Sequence, residues 1–177
     1  MNLTKALAID GWMDPAELAW LAARAVESRC IVEIGCYQGR SARALADHIP
    51  GGLFCVDKWE GPWIVHLHAF IANLRDHIES GRVRVRVMSS ATAALEFREN
   101  ELPFDMVFID GDHEYESVCE DIRNWRPLLR PGGLLCGHDY DPAGWPGVVR
   151  AVDELLPGRE LVAGSIWAYR IPLAPEP

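Results

Sequence analysis

"CIVEIGCYQGRSARALADHIPGGLFCVD", residues 30–57, holds the pattern on which the fold turns. "CIVEIG" (30–35) is a short apolar run that ends at Gly35. "SARALADHI" (41–49) follows with helical periodicity, "PGG" (50–52) stops it, and "LFCVD" (53–57) is a second apolar run. A strand, a helix and a strand in sequence make a crossover unit whose two strands lie parallel. The alternation continues. "IVHLHAFIANLRDHIES" (64–80) predicts one long helix, "RVRVRV" (82–87) strand three and "TAALEFRE" (92–99) a short helix. "FDMVFID" (104–110) is strand four, "ESVCEDIRNWRPLL" (116–129) a helix, "LLCGHD" (134–139) strand five and "PGVVRAVDELL" (146–156) the last helix. "ELVAG" (160–164) and "IWAYRI" (166–171) are joined by a link too short for a crossover, so they pair antiparallel. Upstream, "MDPAELAWLAARAVES" (13–28) is a helix with Asp14 as N-cap and Pro15 at its first position.

The expectation is an α/β, Rossmann-like doubly wound sheet of seven strands. It is mostly parallel, its last strand is antiparallel, and helices cover both faces. One domain accounts for the 177 residues: an N-terminal helical segment (1–29), a core (30–170) and a short tail (171–177). A net charge of −9 argues against nucleic acid or an anionic membrane as partner. No secretory leader and no membrane-spanning run is visible, and the five cysteines form no C-x-x-C pair. Free thiols and a cytoplasmic location are expected.

Ligands of open parallel sheets gather at the carboxyl ends of the strands. "EIGCYQG", "VDKWEG", "IDGDHEY" and "GHDYD" all lie there, so they share one rim. Gly35 and Gly39 let the first turn bend and approach a ligand closely. The spacing is not G-x-G-x-x-G, which weakens a dinucleotide reading. Asp57 ends strand two about 20 residues beyond the turn, where a carboxylate can accept both hydroxyls of a ribose.

The E-x-G-x-x-x-G turn (Glu33, Gly35, Gly39), Asp57 and the later "PGG" (131–133) resemble class I S-adenosylmethionine-dependent methyltransferases, from about Cys30 to Arg170. The resemblance implies S-adenosyl-L-methionine as cofactor. Glu33, Gly35, Tyr37, Gly39 and Ser41 would line its methionine side, and Asp57 its ribose. Lys58 and Trp59 would flank the adenine, with Ser90 beside it and Asp110 also in reach. Relatives commonly carry an acid or a serine after strand three; here Ser89 and Ser90 stand without an acid.

"FIDGDHEYESVCEDIRNWRPLLRPGGLLCGHDY" (108–140) is similar to the sugar and macrolide O-methyltransferase branch, several members of which use a divalent metal. The matching ligand positions are Asp110, His138 and Asp139. Two carboxylates and waters suit magnesium, while the imidazole shifts preference towards manganese, iron or zinc. The other reading of His138–Asp139 is a hydrogen-bonded pair that orients the loop.

Methyl transfer from a sulfonium is an in-line displacement, so donor and acceptor must be aligned and the acceptor's proton removed. His113 is the first candidate base, since imidazole titrates near neutrality. Asp112 is the second candidate base; its other readings are orienting His113 or capping the helix that follows. His66, His68 and His77 show no i, i+4 pair. Exposed Trp59, Trp63 and Trp145 on rim loops would suit a ring-bearing acceptor, core packing being the other reading.

The resulting expectation is methylation of a hydroxyl on a small molecule, a sugar or a phenol. The alternatives are metal-independent O- or N-methyl transfer, and cofactor binding without transfer. Little chain remains to build an acceptor lid, so either a second copy in a homodimer completes the pocket or the site is open.

Overall fold

A computed structural model describes residues 1–100 and 103–173; positions 174–177 of the expected tail lie outside it. The seven strands are β1 (Cys30–Ile34), β2 (Gly52–Asp57), β3 (Val83–Val87), β4 (Phe104–Ile109), β5 (Leu129–Gly137), β6 (Glu160–Ala163) and β7 (Ile166–Arg170). They form one sheet in the order β3-β2-β1-β4-β5-β7-β6. β1 to β5 pair parallel, and β7 runs antiparallel to both β5 and β6. The reversed last strand follows from the short β6–β7 link.

One face is covered by α1 (Thr4–Leu7), α2 (Pro15–Val26), α3 (Arg40–Ala46), α4 (Ile64–Asn73) and α5 (Arg75–Glu79). The other is covered by α6 (Ser90–Glu99), α7 (Tyr115–Trp125) and α8 (Pro146–Leu155). Alternate residues of β1 divide between these two cores. Ile31 joins the first, and Val32 and Ile34 the second. Among the described residues no helix is long and apolar enough to cross a membrane.

Asp14 caps α2 as its sequence requires, accepting from the Ala16 and Glu17 amides, while the Glu17 carboxylate accepts from the Asp14 amide. The long helix expected over 64–80 is broken at Leu74. Its cause is tertiary: the Asn73 carbonyl accepts from Arg43 Nη1 (3.1 Å), and the buried Leu74 side chain fills the space over Gly39. Strand five begins five residues before Leu134, because Leu129 already pairs with Phe104 across a bulge.

The sheet order reverses between β1 and β4, so a crevice opens where their loops diverge. Ladder bonds run on past the strand ends: the Gly35 amide donates to Val56 O, Asp110 to Ile34 O and His138 to Ile109 O. They hold the four rim loops to the geometry of the sheet.

Gly35 has φ 81°, and a Cβ there would overlap the carbonyl of Asp110 and Cα of Gly111. The turn after β1 therefore rests on the loop after β4 with no room for a side chain. Gly35→Ala is expected to cost about 3 kcal/mol, lowering the melting temperature by roughly 6–12 °C. Gly81→Ala, at φ 74° with open space around it, is expected to cost only about 1 kcal/mol. Thermal melts followed by circular dichroism compare the two.

Candidate active site

Asp110 and Asp139, at the ends of β4 and β5, form the centre of the site, with an imidazole on either side. His113 Nε2 lies 2.8 Å from Asp139 Oδ2 and 3.9 Å from Asp110 Oδ1. His138 Nδ1 lies 3.3 Å from Asp139 Oδ1 and 3.7 Å from Asp110 Oδ1. Asp139 is in the left-handed region (φ 60°), a conformation that Asp tolerates better than most residues. The Asp139 amide donates to Ser165 Oγ (3.3 Å) and the Tyr140 amide to Ser165 O (2.9 Å), so the β6–β7 turn holds this kink.

Sequence reasoning missed Glu17, which comes from the first turn of α2 and is buried. Its Oε1 accepts from the Ser165 amide (2.9 Å) and hydroxyl (3.1 Å), and stands 3.1 Å from His138 Nε2. A Cβ on Gly164 would run into this carboxylate, so the glycine turn closes directly over it. The available signal was Glu at N3 of a capping box, a position that ordinarily explains itself locally.

These contacts set the charge states. Burial opposes the charge of Glu17, but the ion pair with His138 and hydrogen bonds from Ser165 and Asp14 outweigh it and hold the carboxyl down at about 2. Burial pushes Asp110 up. Asp139 is driven down, since the two histidines overcome its burial. His113 is raised to about 9 by Asp110 and Asp139. His138 is raised to about 10, Asp139 and Glu17 overcoming the burial that opposes its charge. In neither imidazole does the Nε2–H bond point along the line to the nearby oxygen. They are ion pairs by distance, without aligned hydrogen bonds.

His113 also stacks on Trp145, ring centroids 4.3 Å apart at 35°, while Trp145 stays 43% exposed. Asp112 does not orient His113. Its oxygens accept from the Glu114 amide (3.1 Å) and the Ser117 hydroxyl (3.0 Å), so the residue serves the start of α7 and not the cluster.

On the other bank, Glu33 is fully buried and pushed up to about 8 by that burial. The Ser41 hydroxyl donates to one of its oxygens, and the other has no partner. Asp57 accepts from the amides of Cys36 (2.9 Å), Tyr37 (3.1 Å) and Trp59 (3.0 Å). A carboxylate has about four acceptor positions. Asp57 therefore keeps an acceptor position free. Trp59 is not exposed on the rim, contrary to expectation: its ring is 1% exposed, packs on Phe70 and donates to Tyr37 O (2.9 Å). Its backbone is left-handed (φ 41°), and the ring lies in the core.

Lys58 is exposed and pairs with Glu60 (3.2 Å). Tyr37 directs its ring into a surface cluster with Trp12 and His66, at 4.9 and 4.4 Å, with Trp63 at its edge. Gly39 caps the amino end of α3 at φ 91°. Ser90 donates to Asp121 and accepts from Trp125 Nε1 (2.7 Å). Asp121, contributed by α7, thus sets a carboxyl beside Ser90 and is raised by burial to about 6.

The arrangement fits a divalent cation. An oxygen of Asp110, an oxygen of Asp139 and a ring nitrogen of His113 lie within 4.8 Å of one another, and His138 Nδ1 is equally close to both carboxylates. Donors around an octahedral ion with bonds near 2.1 Å stand about 3.0 Å apart when adjacent and about 4.2 Å when opposite. The observed 3.3 and 3.7 Å fall between these limits.

A family model described as "Methyltransferase domain" matches residues 32–140, which run from β1 to the loop after β5. An uncharacterized protein of Sinorhizobium fredii is 26% identical over 133 residues, 69% of this chain and 14% of that protein. A Mycobacterium sp. (strain JLS) protein, provisionally named an O-methyltransferase, is 31% identical over 149 residues, 81% of this chain and 64% of its own length. This chain thus spans less than two thirds of either relative. An O-methyltransferase of Bacillus cereus in complex with SAH superposes with TM-score 0.73 at 22% identity, covering 96% of this chain and 90% of that one. CalS11, a TDP-rhamnose 3'-O-methyltransferase of calicheamicin biosynthesis, superposes with TM-score 0.67 at 18% identity, covering 95% and 79%. These likenesses establish a common fold.

The ion pairs set the pH range of stability. The contribution of Glu17, whose pKa is lowered, is complete above about pH 4.5 and fades as pH falls towards 2. Those of His113 and His138, whose values are raised, are complete below about pH 6.5 and fade as pH rises through 9 and 10. Melting temperature is expected to fall on both sides of this window. Glu17→Gln should destabilise the protein by about 3–5 kcal/mol near pH 6, since it leaves the buried, charged His138 without its outer partner. The variant should lose much less near pH 10, where that charge is gone; melts across pH read both effects.

Proposed function

This chain belongs to the methyltransferase-domain family, and we propose that it transfers a methyl group from S-adenosylmethionine to a hydroxyl of a small molecule. The observation that carries the reading is the contact of Gly35 with the Asp110 backbone. It seats the turn that follows the buried Glu33, one of whose oxygens has no partner, against the loop that carries the Asp110–His113–Asp139 cluster. The Glu33 oxygen fits the ammonium of a bound methionine moiety, and the remaining acceptor position of Asp57 fits one ribose hydroxyl. SAH and SAM complexes among proteins of the same fold support that cofactor.

The reaction requires an acceptor oxygen aligned with the sulfonium and relieved of its proton. His113 is suited to take that proton. Its side chain is 28% exposed, and its ring packs on Trp145. Held protonated up to about pH 9 by Asp110 and Asp139, it must first release its own proton. Asp110 and Asp139, with His138, would hold a divalent metal, which when bound lowers the pKa of a coordinated hydroxyl. A second reading, transfer without metal, draws on the 2.8 Å His113–Asp139 pair, which could orient the base by itself. A sugar acceptor has the support of CalS11, whose substrate is a nucleotide-linked rhamnose.

Calorimetry with S-adenosylhomocysteine should give saturable binding, and a screen of sugar and phenol acceptors should give turnover. His113→Gln is expected to lower kcat by about 10²- to 10⁴-fold while S-adenosylhomocysteine binding changes less than about threefold. The wild-type kcat should rise with pH and level once His113 is neutral, at or below about pH 9. Retention of the full rate by His113→Gln removes that residue as base. Activity that survives thorough chelation decides for transfer without metal.

A further inference from the structure

The two imidazoles beside Asp110 and Asp139 differ in every respect except distance. His138 is nine-tenths buried, follows β5 directly, and has its outer nitrogen, Nε2, 3.1 Å from Glu17 Oε1. Its inner nitrogen, Nδ1, faces Asp110 and Asp139 at 3.7 and 3.3 Å. Glu17 is itself fixed on three sides, by the Ser165 amide and hydroxyl and by the Asp14 amide. His113 stands on a loop with 28% of its side chain exposed, and Trp145 is its packing partner.

A metal-bound histidine ordinarily gives its other ring N–H to a carboxylate, which fixes the tautomer and raises the basicity of the ligating nitrogen. We propose that Glu17 is the outer carboxylate of a Glu17–His138–metal relay, with Asp110, His138 Nδ1 and Asp139 as the ligands and His113 outside the ligand set. The assignment rests on the metal-assisted form of the function proposed above. It explains a carboxylate buried far from the acidic rim of the sequence, and it assigns different roles to two histidines that both lie within 4 Å of Asp110 and Asp139. The donor set of one imidazole and two carboxylates suits manganese, iron or zinc better than magnesium. Glu17 is a positioning residue, and its contribution passes through His138.

Direct metal binding tests the proposal without cofactor, acceptor or turnover. Mn²⁺ titrated into the wild-type protein and followed by electron paramagnetic resonance should bind at one site and resist millimolar Mg²⁺. His138→Gln should abolish binding, His113→Gln should change it less than about threefold, and Glu17→Gln should weaken it by about 10- to 100-fold. Circular dichroism at the titration temperature checks that each variant is folded. A variant-free measurement covers the case in which Glu17→Gln unfolds. In ¹⁵N-histidine NMR of the Zn²⁺-loaded wild type, His138 should carry its proton on Nε2 and its metal on Nδ1. Loss of Mn²⁺ binding in His113→Gln but not in His138→Gln overturns the assignment. So does a folded Glu17→Gln with wild-type affinity, metal on His138 Nε2, or a wild-type protein that binds no Mn²⁺. Because no methyl donor is present, the outcome is independent of whether S-adenosylmethionine binds.

Discussion

The buried Glu17–His138 ion pair joins three parts of the chain that lie far apart in sequence. Glu17 opens α2, His138 ends β5, and Ser165 forms the β6–β7 turn, 148 residues from Glu17. Two charges removed from water are tolerable only when paired and hydrogen-bonded, so each element must arrive in register or leave a charge stranded. Through Ser165 the same pair supports the left-handed backbone at Asp139, and so the direction of its carboxylate. The site's geometry therefore depends on contacts lying behind it, out of reach of any ligand.

A second constraint is steric. Gly35, Gly137 and Gly147 lie where backbone or ring atoms leave no room for a Cβ: the Asp110 carbonyl, the Trp167 ring, and the backbone from His113 to Tyr115. The rim loops are thus packed on one another as well as hung from the sheet. Asp57 adds a polar tie by accepting from three amides on the turn after β1 and the loop after β2. Two buried acids, Glu33 and Asp121, are held high by desolvation. A site built this way is largely preformed, which suits alignment of two reactants more than capture by a closing lid.

Much of the fold was legible because its signals are local. Apolar runs of strand length, glycine and proline stops, and the short β6–β7 link fix element type and the sense of the last strand. Convergence of Asp110, His113, His138 and Asp139 also followed, since all lie at carboxyl ends of parallel strands or in the loops beyond them. What failed was the direction of individual side chains. Trp59 adjoins Asp57 in sequence, yet its backbone is left-handed and its ring lies in the core. Asp112 adjoins His113, yet the start of α7 takes both its oxygens. The break at Leu74 has no glycine or proline to mark it, because Arg43 on another helix competes for the carbonyl of Asn73.

By itself the sequence determined a doubly wound sheet with a reversed last strand, and which loops share its working rim, because periodicity and loop length act over a few residues. Only the tertiary structure decided what each rim residue faces. It set one histidine, His138, against buried Glu17 and the other, His113, against Trp145. It also set the carboxyl of Asp121 beside Ser90. Those outcomes depend on burial and pairing between distant segments, where the cost of an unpartnered charge or an overlapping Cβ outweighs any local preference.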